Sequence, residues 1–227
     1  SLVAQQLVDG VIVMEVEADD PRVPLLQRQH ARFVMLGRTA NNQGLDYVDT
    51  DFERAAFDAL EHLVDRGHRR VLFITDPGAA LHRGLGPSLR ISSALAEHAR
   101  RLGVELTTSN VHRTYGGGRG ALEQFISSGS TATAVLTFND QATVGFLHAA
   151  QVAGLSIPRD LSLLAMGMGE DAAELSPPLS TVTPPVAELT ATAVGMLNER
   201  ISGRTPVQRH VLLRALLTDR GSVAAPR

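Results

Sequence analysis

Phe138-Asn139-Asp140 follows a compact apolar run, Ala134 to Thr137, and opens an amphipathic segment. An Asn amide both donates and accepts hydrogen bonds, so Asn139 with Asp140 can present a polar pair to a ligand in a cleft. The same residue types supply helix N-caps, and spacing alone does not choose between the two readings. Arg90 lies at the start of a helical segment, after a long loop. There it opposes the helix macrodipole. It is either a solvated side chain or a bidentate clamp for a carboxylate, a phosphate or vicinal hydroxyls. Tyr115 is one of two Tyr in a chain with 4% aromatics and no Trp, and it precedes Gly116-Gly117-Gly118. Its ring can stack on a flat ligand or on the apolar face of a sugar, or sit at the surface. Finally, the apolar run Leu163 to Met166 breaks at Gly167, three residues before the acidic pair Glu170-Asp171.

Other chemistries lack their residues. The run Gly116-Gly117-Gly118-Arg119-Gly120 has neither dinucleotide-fingerprint spacing nor the Gly-Lys-Ser/Thr of a phosphate loop. The eight His are scattered, with His62 and His68 six apart and no metal-binding spacing, and there is no Cys. No Gly-x-Ser-x-Gly elbow anchors a hydrolase triad. The expectation is therefore no catalytic residue, no metal and no cofactor. The net charge is −3 and all basic residues are Arg, without a basic cluster, so the chain by itself is a poor binder of nucleic acid. No apolar run approaches a membrane span, and the first ten residues lack a signal-peptide pattern.

The elements that must position these residues alternate. Short apolar runs predict strands at 10–14, 32–36, 47–49, 70–74, 134–137, 162–166, 180–183, 211–213 and 216–218, with a further strand within 104–112. Amphipathic segments predict helices at 21–29, 52–66, 88–102, 116–127, 140–153 and 185–201, and Asp51 can N-cap the second of them. This alternation predicts an α/β fold with mostly parallel sheets covered by helices on both faces. Ligands in such folds sit at the carboxyl ends of strands, here the loops near Glu15, Gly37, Asp76, Tyr115, Phe138 and Gly167. The Pro- and Gly-rich stretches at 76–87 and 176–185 are the expected crossings between lobes.

Five stretches together resemble the lactose-repressor/galactose-repressor (LacI/GalR) family of transcription regulators. They are LVDGVIV (7–13), VDTDFERAAFDALEHLVDRGHRRVLFIT (48–75), AVLTFNDQATVGFLHAAQVAGLSIPRDLSLLAMG (134–167), SPPLSTV (176–182) and TDRGS (218–222). The resemblance implies a periplasmic-binding-protein-like type I core of two Rossmann-like lobes around a ligand cleft, joined by three crossovers. It places the N-terminal lobe at about 1–75 plus 184–206 and the C-terminal lobe at about 76–183 plus 207–227. It implies a cytoplasmic homodimer that takes a small-molecule effector, a sugar or related metabolite. Effector binding would shift the lobes and so the affinity of a helix-turn-helix domain for operator DNA. The resemblance would place that domain and the family's first two strand–helix units outside this sequence, which would expose Val11 and Val13 on an unpaired strand. The alternatives are a periplasmic solute-binding protein of a transport system and an enzyme on a similar scaffold.

By position, the resemblance assigns effector contacts to Asp51, Arg90, Tyr115, Asn139, Asp140 and Gly167. Ser93 departs from the family's usual Gly after the Arg, and Pro184 occupies a position that is polar in some members. Gly167 stands where relatives often carry an Asp that accepts from sugar hydroxyls. Either the glycine makes a turn while Glu170 or Asp171 substitutes, or the missing carboxylate marks an effector poorer in hydroxyl donors than a free hexose.

Overall fold

The computed structural model describes residues 8–77, 86–204 and 208–227. The start of the LVDGVIV stretch and most of the expected crossing at 76–87 fall outside the described residues.

Parallel strands that are apolar on both faces need cover on both faces, and the chain supplies it twice. β1 (Val11–Val13), β2 (Phe33–Leu36), β3 (Tyr47–Thr50) and β9 (His210–Leu213) form a parallel sheet in the order β1-β2-β3-β9. On one face α1 (Arg22–Arg28) buries Val23 and Leu26 against Val13, Phe33 and Met35. On the other, α6 (Val186–Ile201) sets Leu189, Ala193 and Met196 on Val34 and Val48. The second sheet runs β10-β8-β7-β6-β4-β5. Its strands are β4 (Arg70–Thr75), β5 (Glu105–Asn110), β6 (Ala134–Thr137), β7 (Ser162–Met166), β8 (Ser180–Thr183) and β10 (Leu216–Thr218). All pair in parallel except β10, which is antiparallel to β8. α2 (Phe52–Asp65) and α3 (Gly86–Leu102) cover one face, with Leu60, Leu63, Ile91 and Leu95 on Phe73, Leu136 and Leu164. α4 (Tyr115–Ser127) and α5 (Asp140–Val152) cover the other, with Leu122, Phe146 and Leu147 on Val135 and Leu163.

The α/β expectation and the individual elements hold, with ends shifted by a residue or two. A turn of 3-10 helix at Glu170–Ala173 was not foreseen.

The lobe boundaries need correction. The chain crosses between the two packed units three times: at Asp51 between β3 and α2, at Pro184-Pro185 between β8 and α6, and at Arg214-Ala215 between β9 and β10. Residues 51–75, expected in the first lobe, pack in the second: α2 turns its apolar face to α3, and β4 pairs with β5 and β6. Conversely, β9 was expected in the second lobe and pairs in parallel with β3. Periodicity shows that a helix has an apolar face. It does not show which sheet that face covers. Of the two expected crossings, the one near 176–185 lies where the chain does cross.

Two of the sequence stretches prove structural. Gly67 ends α2 with φ +94, a left-handed conformation that favours glycine. The next residue, His68, is fully buried. Its Nε2 lies 2.8 Å from the Ala224 carbonyl and its Nδ1 2.8 Å from the Thr133 hydroxyl. A carbonyl only accepts, so Nε2 carries the proton and Nδ1 accepts from Thr133. Ser222 completes the seam: its Oγ donates to the Leu163 carbonyl and accepts from the Ser180 amide. The C-terminal segment is thus sewn along β7 and β8. Burial holds the His68 pKa below its ordinary 6.5, the Ala224 carbonyl opposing and Arg66 adding to the shift. His68 folds neutral while the unfolded chain takes up a proton, so its contribution is complete above pH 6.5 and shrinks as pH falls below that value. His68→Ala should cost roughly 2–3 kcal/mol of unfolding free energy at pH 7.5, and the deficit should narrow toward pH 5. Urea titrations at the two pH values check this, and an equal deficit at both rejects it.

Candidate functional site

At the carboxyl ends of β6 and β7 a cavity of about 470 Å³ opens beside two of the crossovers. Phe52, just past the first crossing, and Pro184, at the second, both line it. Phe138 and Met166 add apolar wall, with Phe52 and Phe138 edge to face at 6.1 Å between centroids. The polar groups are Arg113, Asn139, Asp140 and Gln141.

Asn139 is compatible with both of its readings. It caps α5, its Oδ1 accepting from the Ala142 amide at 3.1 Å. Its Nδ2 is buried and has no hydrogen-bond partner among the described residues. An unpaired buried donor carries a desolvation cost that a ligand acceptor would relieve. Beside it, desolvation raises the Asp140 pKa, Arg113 lowers it and Asp171 raises it further. Asp76, at the end of β4, accepts from Ser88 at 2.7 Å and from Arg113 at 2.8 Å, which steadies the guanidinium at the cavity wall.

Asn139, Asp140 and Gly167 therefore come together, while three other expected contacts do not join them. Asp51 is the N-cap of α2, accepting from the Arg54 amide at 2.9 Å. Tyr115 begins α4, is 60% exposed, and lines a separate groove with Arg119, Ile126 and Val152. Arg113, two residues earlier and passed over in the sequence, faces the cleft instead. The helix starts at Tyr115, and the first turn carries that ring away from the strand ends.

Arg90 belongs to a different cluster of charged side chains. Its Nη1 lies 3.6 Å from Asp49 Oδ2, and Arg38 Nε lies 3.3 Å from the same oxygen. Arg38 Nη2 reaches Glu53 at 2.5 Å, pairing the first lobe with the start of α2. Asp49 is 3% exposed. Burial pushes its carboxyl up to about 6; Arg90, Arg38 and the Thr50 amide pull it down, and Glu53 pushes it up. Burial also lowers the Arg90 pKa, with Arg38 adding to that and Asp49 opposing it. Sequence reasoning missed Asp49 and Arg38. The available signal was a carboxylate inside the otherwise apolar strand Tyr47-Val48.

Gly167 has φ +92 and donates its amide to the Val182 carbonyl at 2.9 Å. A Cβ there would lie 3.2 Å from the Phe138 ring. The turn reading is thus the one with a structural cause. Neither Glu170 nor Asp171 is among the residues that line the cavity. Among the described residues no group of three or more His, Cys, Asp or Glu could hold a metal ion. No helix among them is long and apolar enough to cross a membrane.

Residues 60–223 match the family described as periplasmic binding protein-like domain. The chain is 26% identical over 204 residues to catabolite control protein A of Priestia megaterium, covering 87% of this chain and 59% of that protein. It is 28% identical over 227 residues to the HTH-type transcriptional repressor PurR of Escherichia coli, covering 99% of this chain and 66% of that protein. The chain thus spans about three fifths to two thirds of these relatives. A regulatory protein of the LacI family from Chloroflexus aggregans, 29% identical, superposes with a TM-score of 0.84 over 98% of this chain and 79% of that one.

Two outcomes follow from the site's geometry. Gly167→Asp should lose roughly 1–2 kcal/mol of stability, because a side chain at that φ is strained and the Phe138 ring must move. A thermal melt at or above the wild-type temperature would contradict this. For Asp49, a folded pKa raised to about 6 means that its charged form burdens the fold, a burden relieved as pH falls from 6 toward the ordinary 3.8. The stability of Asp49→Asn relative to wild type should therefore be more favourable at pH 7.5 than at pH 4.5. A difference independent of pH rejects the assignment.

Proposed function

We propose that this chain, which belongs to the periplasmic binding protein-like domain family, is the effector-binding core of a LacI/GalR-type regulator and that its cleft senses a small-molecule effector, a sugar or related metabolite. The observation that carries this is Asn139: an amide fixed by its own capping bond, with a buried donor unspent beside a cavity bounded by two crossovers. A ligand that binds one lobe arrangement better than another shifts the balance between them by its differential affinity. Through the three crossovers that shift would reach an attached helix-turn-helix domain and change its hold on operator DNA, with the core acting as a homodimer in the cytoplasm. This reading needs no turnover: among the described residues the cavity's acid, Asp140, sits beside an Arg and two amides. The relatives are regulators, which favours this reading over a transport solute-binding protein.

A thermal-shift screen over sugars, polyols, nucleosides and organic acids identifies the effector, because a ligand bound only by the native state raises its melting temperature. With the hit in hand, Asn139→Asp separates cap from donor. It keeps an oxygen for the Ala142 amide and removes Nδ2. Affinity should fall roughly tenfold or more at near-wild-type stability, whereas Asn139→Ala should also lose about 1 kcal/mol of stability through the cap. Undiminished affinity in Asn139→Asp, measured by calorimetry, removes Asn139 from the site.

A further inference from the structure

The sequence casts Arg90 as an effector clamp; in the fold one edge of its guanidinium is engaged across the lobes, while the buried Nη1 has no hydrogen-bond partner among the described residues. Its Nη2 donates to the Arg38 carbonyl at 2.5 Å and to the Thr39 carbonyl at 3.3 Å. Both carbonyls belong to the loop after β2, in the first lobe, while Arg90 sits on α3, in the second. The receiving loop is braced. Asn42 accepts from the Thr39 amide at 3.0 Å and donates to the Thr39 carbonyl at 2.9 Å. A second bond runs the same way: the Gly86 amide, at the first residue of α3, donates to the Val16 carbonyl at 3.1 Å. Val16 is buried in the first lobe's core.

Gly86 also makes the approach possible. A Cβ on it would stand 2.4 Å from Arg90 Nη1 and 3.2 Å from the Arg38 carbonyl. Glycine in the first turn of a helix costs conformational entropy, and here that position is where helix, guanidinium and opposite lobe converge. The flanking charges sit on both sides of the seam. Asp49 and Arg38 come from the first lobe and Glu53 from α2, so the cluster is complete only when the lobes are together.

We propose that Arg90 is a lobe-positioning residue, a pin that fastens the amino end of α3 to the backbone of the first lobe. An effector that alters the lobe arrangement must then work against this pin. The proposal rests on the two-lobe architecture and not on the identity or presence of an effector, so its failure leaves the sensing role of the cleft untouched.

The chain has no Cys, which permits a direct test. Spin labels on Arg28→Cys, exposed on α1, and Arg101→Cys, exposed near the end of α3, report the interlobe distance by pulsed electron paramagnetic resonance. With Arg90 in place the distribution should be narrow. Arg90→Ala should broaden it and move it to longer distances, and Arg90→Lys, which keeps a donor and a charge but not the fork, should fall between. Gly86→Ala should open the seam with Arg90 still present, because its methyl group displaces the guanidinium. It carries the test if Arg90→Ala does not fold. A merely structural Arg90 would change melting temperature without changing the distance. Distributions for folded Arg90→Ala or Gly86→Ala that superimpose on wild type overturn the proposal.

Discussion

A parallel strand with apolar residues on both faces has no side to show to water. This chain has two sheets of such strands, and the need to cover four faces organises the rest of the molecule. α1 and α6 serve one sheet, and α2 with α3 and α4 with α5 serve the other. A single chain can deliver a late helix such as α6 to the early sheet only by crossing back, and each crossing leaves irregular backbone between the lobes. Such backbone cannot be buried in apolar surroundings without partners. The crossings therefore gather polar and conformationally special residues, and the cavity forms beside them.

Electrostatics at this seam follows from its dryness. Asp49 is nearly sealed from water, and its two guanidinium neighbours only partly restore what burial takes from its charged form. Low dielectric strengthens each attraction and makes each unpaired group expensive. A cluster of four charged side chains drawn from both lobes is consequently sensitive to small displacements. That sensitivity would suit the proposed sensing role, since packed interfaces tend to switch between discrete arrangements rather than deform smoothly.

The C-terminal lobe is closed by a different means. His68 and Ser222, far apart in sequence, bind carbonyls of strands and tail that would otherwise end unpaired. The GHRR and TDRGS stretches thereby acquire a physical reason for their residue types: glycine for a left-handed helix end, imidazole and hydroxyl for buried carbonyls.

What the amino-acid sequence determined by itself is the set of elements and their class. Apolar runs of four or five residues, helices ended by Gly67, Gly103 and Gly154, and caps at Asp51 and Asn139 are local properties, legible because a helix face or a strand alternation is written within a few residues. The pair Asn139-Asp140 was legible for the same reason: it ends one local element and starts the next. The tertiary structure alone decided which sheet each element joins, and hence that α2 and β4 belong to the second lobe and β9 to the first. It also decided that Arg113 lines the cavity while Tyr115 lines a separate groove. Asp49 and Arg90 meet from a strand and a helix 41 residues apart, and no local pattern records such a meeting. Gly167 lies between the two cases. Its place at a strand end was readable, but the ring of Phe138 beside it and the left-handed backbone that requires glycine appear only when β6 and β7 lie side by side.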